Sequence, residues 1–344
     1  MAAVTAGERF FCADAARTRG DLLAGTAPYG SVWVLVEHRG GWPPSGFDGL
    51  DLDPAVKEPV FSAARAVRAR ILLIRRHGRR SAEGRRRWAV LRHAGPGVRS
   101  QQWGTWSRDE DLTGIAAALE DPGTGPGAAL DATGAAPGGT GAEAGGAGAD
   151  ARGTGVAPGG TRAGPGASAL PPVVLVCAHG QHDTCCAVRG RPVGRALSER
   201  WPDLVWECSH VGGDRFAANV VVLPDGVYYG NLDAASCVET VAGHLAGRIR
   251  PEHLRGYTDL FPPQQVAVAA LLRRFGPAGR YDHTIVATVR EHDQWRVRVA
   301  TRAPRPAVFE VEVRSHRTPP RQLTCRGLSM SSAVVYEVTS VRAA

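Results

Sequence analysis

Lysine is almost missing from this 344-residue sequence. Lys57 is the only one, so the 41 basic side chains set against 33 acidic ones, a formal charge of +8, are arginines nearly throughout. With heavy use of Ala, Gly and Pro beside it, such a charge reflects compositional bias as much as a nucleic-acid surface. No stretch reaches eighteen uninterrupted apolar residues, and the start, MAAVTAGERFFCADAAR, lacks the basic patch and apolar core of a secretion signal. Neither membrane spanning nor export is expected. C-x-x-C is absent, which argues against a helix-capping redox dithiol. No strand is followed by G-x-G-x-x-G, which argues against a bound dinucleotide. The seven cysteines are an odd number with four crowded between 177 and 208, a poor match to a secreted disulfide framework. A reducing cytoplasm is the expected setting.

What is present divides into four regions. From 8 to 115, SVWVLVE (31–37), ILLI (71–74) and RWAVLRH (87–93) read as strands. PAVKEPVFSAARAVRA (54–69) reads as a helix starting in earnest after Pro59, which makes an N-terminal α/β region. Residues 121–170 hold 16 glycines in 50 positions and bury too little apolar surface to offset the entropy of ordering them, so a flexible insertion or linker is expected. From 171 to 262 the order is strand (VVLVC), helix (RPVGRALSERWP, 191–202), short strand (203–207), hairpin turning at Asp225-Gly226, and helix (CVETVAGHLAGRI, 237–249). That is the element order of a thioredoxin-like domain, and the N-terminal region is read as a related α/β half. From 263 to 344, QQVAVAALLRRF and four alternating segments predict a small helix-plus-sheet module.

The chemistry is concentrated in CAHGQHDTCC (177–186) and ECSHVGGDRFAAN (207–219). Isolated cysteines are more often inert core residues than functional ones, which is the reading for Cys12, Cys237 and Cys325. The crowded ones differ: Cys177 ends a strand, and Cys186 falls nine positions later in what reads as a polar loop with His179, His182 and Asp183. A second loop presents Cys208, His210 and Asp214, with Gly212 and Gly213 to let the backbone turn. Two loops of soft and borderline donors suit a four-coordinate iron–sulfur centre, and bare spacing serves zinc equally.

CAHGQHDTCCAVRGRPVGRAL and ECSHVGGDRFAANVVVLPDGVYYG resemble the sucrase/ferredoxin-like family, most strongly over 171–232. The resemblance implies a thioredoxin-like ferredoxin domain and a 2Fe-2S cluster held by two cysteines and two histidines. Cys177 and Cys186 match the cysteine ligands and His210 the first histidine. Asp214 stands where the second histidine falls, which leaves Asp214 or Cys208 as the fourth ligand and Cys185 competing with Cys186. A soluble one-electron carrier with a soluble, acidic redox partner is the expected function; no acidic pair supports sucrase activity. The alternatives are a thiol-disulfide oxidoreductase, a structural zinc protein and a basic nucleic-acid binder. The last rests on RRHGRRSAEGRRRW (75–88), which reads more simply as a solvated turn or a surface that steers an acidic partner.

Overall fold

A computed structural model describes residues 10–78, 84–93, 95, 99–121, 171–302, 304–327 and 330–344. The expected glycine-rich insertion lies outside them from residue 122 onward. In chain order the elements are α1 (Cys12–Arg19), β1 (Val32–Glu37), α2 (Pro54–Ala66), β2 (Arg70–Arg75), β3 (Arg86–His93), β4 (Arg99–Trp106), α3 (Thr113–Glu120), β5 (Val173–Cys177), α4 (Thr184–Arg200), β6 (Val205–Cys208), β7 (Val220–Leu223), β8 (Val227–Tyr229), α5 (Ser236–Leu245), β9 (Leu254–Tyr257), α6 (Pro262–Phe275), β10 (His283–Glu291), β11 (Gln294–Thr301), β12 (Ala307–Arg317) and β13 (Val334–Ala343). The architecture is mixed α/β, with one large mixed sheet and a separate four-stranded one.

The large sheet runs β4-β3-β1-β2-β6-β5-β7-β8-β9. Its two halves have the same plan. In the first, β1 and β2 are parallel across the α2 crossover, and β3 and β4 return antiparallel beside β1. In the second, β5 and β6 are parallel across α4, with β7 and β8 antiparallel beside β5. A helix follows each hairpin, α3 and α5. The halves meet where β2 runs antiparallel to β6 over two register pairs, Ile74 with Cys208 and Arg75 with Glu207. Glu207 reinforces the seam, accepting from Arg75 Nε at 2.9 Å and lying 2.8 Å from His77 Nδ1.

Alternating side chains divide the core as the pleat requires. Val32, Val34 and Val36 face α2 and α3. Trp33 and Leu35 face the other way, into a layer shared with Leu175, Cys177, Trp206, Cys208 and Tyr228 of the second half. Val174 and Val176 point to α4, α5 and α6. The small sheet is an antiparallel meander, β10-β11-β12-β13, whose Val297, Val299, Val311 and Val313 join the core layer that contains α6.

Two helices start earlier than their prolines suggest. α2 begins at Pro54, with the Asp53 carboxylate accepting from Ala55 N at 2.8 Å, and carries Pro59 inside it. α4 begins at Thr184 rather than near residue 191 and carries Pro192. The Asp183 carboxylate caps it by accepting from Cys185 N at 2.8 Å. Cys186 therefore sits in a buried first turn, not in a polar loop. No helix of the described residues is long and apolar enough to cross a membrane.

Asp259 ties the N-terminal half to the C-terminal region. Its Oδ2 lies 3.0 Å from His93 Nε2 at the end of β3, and it pairs with Arg280 before β10. Burial pushes its pKa up, but the His93 hydrogen bond and the Arg280 charge outweigh this and hold it below the ordinary carboxylate value. A depressed carboxylate stabilises the fold above its unfolded pKa, about 3.9, and that contribution is lost as pH falls through the folded value. Asp259→Asn is expected to lower Tm at pH 7 and to flatten the decline of Tm below about pH 5. Parallel thermal scans from pH 7 to pH 3 test this; curves of equal slope would rule the coupling out.

Candidate metal centre

The site forms at the carboxyl ends of the parallel strands β5 and β6, where open α/β sheets bind their ligands. Cys177 is the last residue of β5, Cys186 follows in the first turn of α4, and His210 lies just past β6. One ligand atom from each of the three falls within 4.8 Å of the others. Asp214 joins them from the start of a short 3₁₀ turn. Its Oδ1 accepts from Cys186 Sγ at 3.1 Å and lies 3.0 Å from His210 Nδ1. His182, His210 and Asp214 form an overlapping group within the same 4.8 Å limit, and the His182 and His210 rings stack with centroids 3.7 Å apart.

The loop between His210 and Asp214 needs its glycines. Gly212 and Gly213 both lie in the left-handed region, at φ +93° and +81°. A Cβ on Gly213 would meet Arg255 Nη2 at 2.4 Å. That guanidinium is fully buried and donates from Nη1 to Gly212 O at 2.7 Å and to Asn219 Oδ1 at 2.9 Å.

Proton affinities separate the two thiols. The hydrogen bond from Cys186 holds Cys177 well below the ordinary thiol range, against burial and with His210 assisting. Cys186 is pushed up by the same hydrogen bond, by burial and by the charges on Cys177 and Asp214. The pair thus favours one thiolate and one thiol. Burial pulls His210 down, but Asp214 and Cys177 outweigh it and raise its pKa to about 9. Burial likewise opposes ionisation of Asp214, and His210 and Cys186 more than compensate. His210 Nδ1 and His179 Nε2 are buried without an aligned hydrogen-bond partner. Of the two, His210 falls within a donor group with the thiols of Cys177 and Cys186, where an imidazole nitrogen suits a metal.

Cys208 takes a different place. It is the register partner of Cys177 across β5 and β6, buried in the apolar layer and in none of the three donor groups of the described residues. Burial raises its pKa well above that of an ordinary thiol. Cys185 is turned away from Cys186 by the helical step and belongs to a separate group with Cys12, Asp183 and Cys325. Read singly, Cys12 and Cys325 look inert; nothing local in the sequence brings residues 12, 185 and 325 together. Cys237 sits in the core under α5.

The N-terminal half closes the site from outside, a contribution that spacing within 177–219 gave no sign of. Trp42, in the loop after β1, meets His179 edge to face at 5.9 Å, and His182 Nδ1 lies 3.4 Å from Pro44 O. Arg75 stacks 4.2 Å over the Trp42 ring. Within the arginine-rich 75–88 stretch, Arg76 lies 3.6 Å over Trp206 and Arg86 lies 3.2 Å over Trp106, while Arg79 and Arg80 fall outside the described residues.

Comparison with curated proteins and with solved structures returns no match. A family model, sucrase/ferredoxin-like, matches residues 113–256. The matched segment runs from α3 to β9 and carries every donor of the central site. Over residues 113–256 the chain is thus similar to the sucrase/ferredoxin-like family.

Proposed function

We propose that this protein is a soluble, cytoplasmic, one-electron iron–sulfur carrier whose 2Fe-2S centre is held by Cys177, Cys186, His210 and Asp214. The observation that carries the reading is the convergence of Cys177, Cys186 and His210 within 4.8 Å, with Asp214 against both Cys186 and His210. Two sulfurs, an imidazole and a carboxylate complete four positions without Cys208. The plan shared by the two half-sheets, a parallel pair beside an antiparallel hairpin closed by a helix, supports a thioredoxin-like framework for both. All seven cysteines are free thiols, in keeping with a reducing compartment.

When bound, the cluster supplies reversible one-electron chemistry. The chain supplies the rest. Cys177 and Cys186 hold the inner side away from water, at 1% and 0% exposure. The His182 and His210 side chains, 37% and 26% exposed, form the edge that a redox partner can approach. Asp214 in place of a second neutral imidazole adds negative charge to the ligand set and lowers the potential relative to a two-histidine site. The arginine charge suits an acidic protein partner.

Anaerobically purified protein is expected to contain iron and acid-labile sulfide in equal amounts and to absorb visible light. Cys177→Ala, Cys186→Ala, His210→Ala and Asp214→Ala should each lose most of that colour, and Cys208→Ala should keep it. Zinc or a single iron without sulfide would replace the cluster by a mononuclear site. Loss with Cys208→Ala and retention with Asp214→Ala would move the fourth ligand to Cys208.

A further inference from the structure

Three segments far apart in the chain meet on the other side of the α4 N-terminus. Cys12 opens α1, Cys185 lies in the first turn of α4, and Cys325 comes from the loop between β12 and β13. Cys185 Sγ is 3.3 Å from Cys325 Sγ, and Cys325 Sγ is 3.5 Å from Cys12 Sγ. Cys12 Sγ lies 3.7 Å from Asp183 Oδ1 and 3.9 Å from Oδ2. One donor atom from each of the four residues falls within 4.8 Å of all the others. Cys12 and Cys185 are fully buried, and Asp183 nearly so.

From these distances and the chemistry of the donors, we infer that Cys12, Cys185, Cys325 and Asp183 form a second, structural metal site for one zinc-like divalent ion. A tetrahedral ion with Zn–S bonds near 2.3 Å and a Zn–O bond near 2.0 Å sets its sulfurs about 3.8 Å apart and sulfur from oxygen about 3.5 Å; the S···S separations of 3.3 and 3.5 Å and the S···O separations of 3.7 and 3.9 Å lie within about 0.5 Å of those values. Three thiolates and one carboxylate oxygen give a closed soft-donor set, the composition that suits a structural ion rather than a catalytic one.

The surroundings are already organised. Asp183 Oδ1 accepts from Cys185 N at 2.8 Å and Oδ2 from Cys325 N at 2.7 Å, which fixes the carboxylate while leaving each oxygen a free lone pair. Cys12 N points at Cys325 Sγ at 3.4 Å and Ala13 N at Cys185 Sγ at 3.5 Å. These N–H donors, from the first turn of α1, favour sulfur in its ionised, metal-binding form. A disulfide between Cys185 and Cys325 would use only two of the three sulfurs and leave Cys12 against Asp183. The ion uses all four donors, and it pins the first helix and the β12–β13 loop to α4, whose next residue, Cys186, belongs to the central site.

Full-length protein loaded with excess zinc under anaerobic, reducing conditions and then desalted tests this by elemental analysis and native mass spectrometry. One zinc per chain is expected to survive His210→Ala and to be lost in Cys325→Ser. The His210 control separates this site from the central one, so either assignment can fail alone. In the unsubstituted chain, alkylation mapped by mass spectrometry should find Cys12, Cys185 and Cys325 protected until a strong chelator is added, and the chelator should lower Tm by several degrees. Thiol protection that chelation leaves unchanged would overturn the proposal. So would a Cys185–Cys325 disulfide in freshly prepared anaerobic protein, or zinc lost with His210→Ala and kept with Cys325→Ser.

Discussion

Alanine in place of Gly190 is expected to destabilise the fold by about 3 kcal/mol and to drive Cys186 away from Cys177. Gly190 lies in α4 one turn beyond Cys186, where the helix backs onto the end of β5. A Cβ there would sit 2.0 Å from Cys177 O and 3.0 Å from Cys177 C. Both are backbone atoms, so no rotamer change relieves the clash; helix and strand must part. The opposing gain, alanine's better helix propensity, is worth only about 1 kcal/mol. Urea unfolding should show a lower midpoint at an unchanged slope, and metal content should fall with it. A midpoint equal to that of the parent protein, with full metal content, would contradict the close approach of α4 to β5.

Arg255→Met is expected to cost about 4 kcal/mol, more than any exposed arginine, because it strips donors from acceptors that water cannot reach. Nε of this side chain donates to Thr26 Oγ1 at 3.0 Å and Nη2 to Thr26 O at 2.6 Å, in addition to the contacts with Gly212 O and Asn219 Oδ1. Burial lowers its pKa to about 10, so it remains charged at neutral pH. Methionine fills part of the volume and satisfies none of these oxygens. The carbonyl of Gly212 belongs to the turn carrying His210 and Asp214, so metal affinity should fall together with stability. Arg255→Lys keeps the charge without the planar fork and should lie between the two. Thermal unfolding and metal titration of the three proteins decide the order, and a methionine variant with parental Tm would show that the fork does not support the turn.

The parts of this fold legible in the sequence are those written in local periodicity. β5, the hairpin at Asp225-Gly226 and the C-terminal strands alternate or cluster their apolar residues strongly enough to be placed. α4 was less legible because Pro192 reads as a helix start, whereas the start is set eight residues earlier by the Asp183 cap. That cap decides the site, since it puts Cys185 and Cys186 on different sides of one helical turn. Pairing across the seam depends on contacts between residues 70–75 and 205–208, and sequence spacing has no term for it. The same holds for Cys12 and Cys325, separated by 313 positions yet 3.5 Å apart. Cys177, Cys186, His210 and Asp214 were visible because their segments are short and crowded.

The β2–β6 seam bears on how the protein is made. During synthesis the first half emerges with β2 at the margin of its sheet, its backbone groups unpaired and Trp33, Leu35, Leu72 and Ile74 uncovered. The strand that covers that margin ends at Cys208, so the nascent chain carries an open edge through the whole passage from residue 121 to 208. An open edge of this kind is where a ribosome-bound chain recruits a chaperone or pairs with a neighbouring chain, and a translation pause before Cys208 would lengthen the exposure.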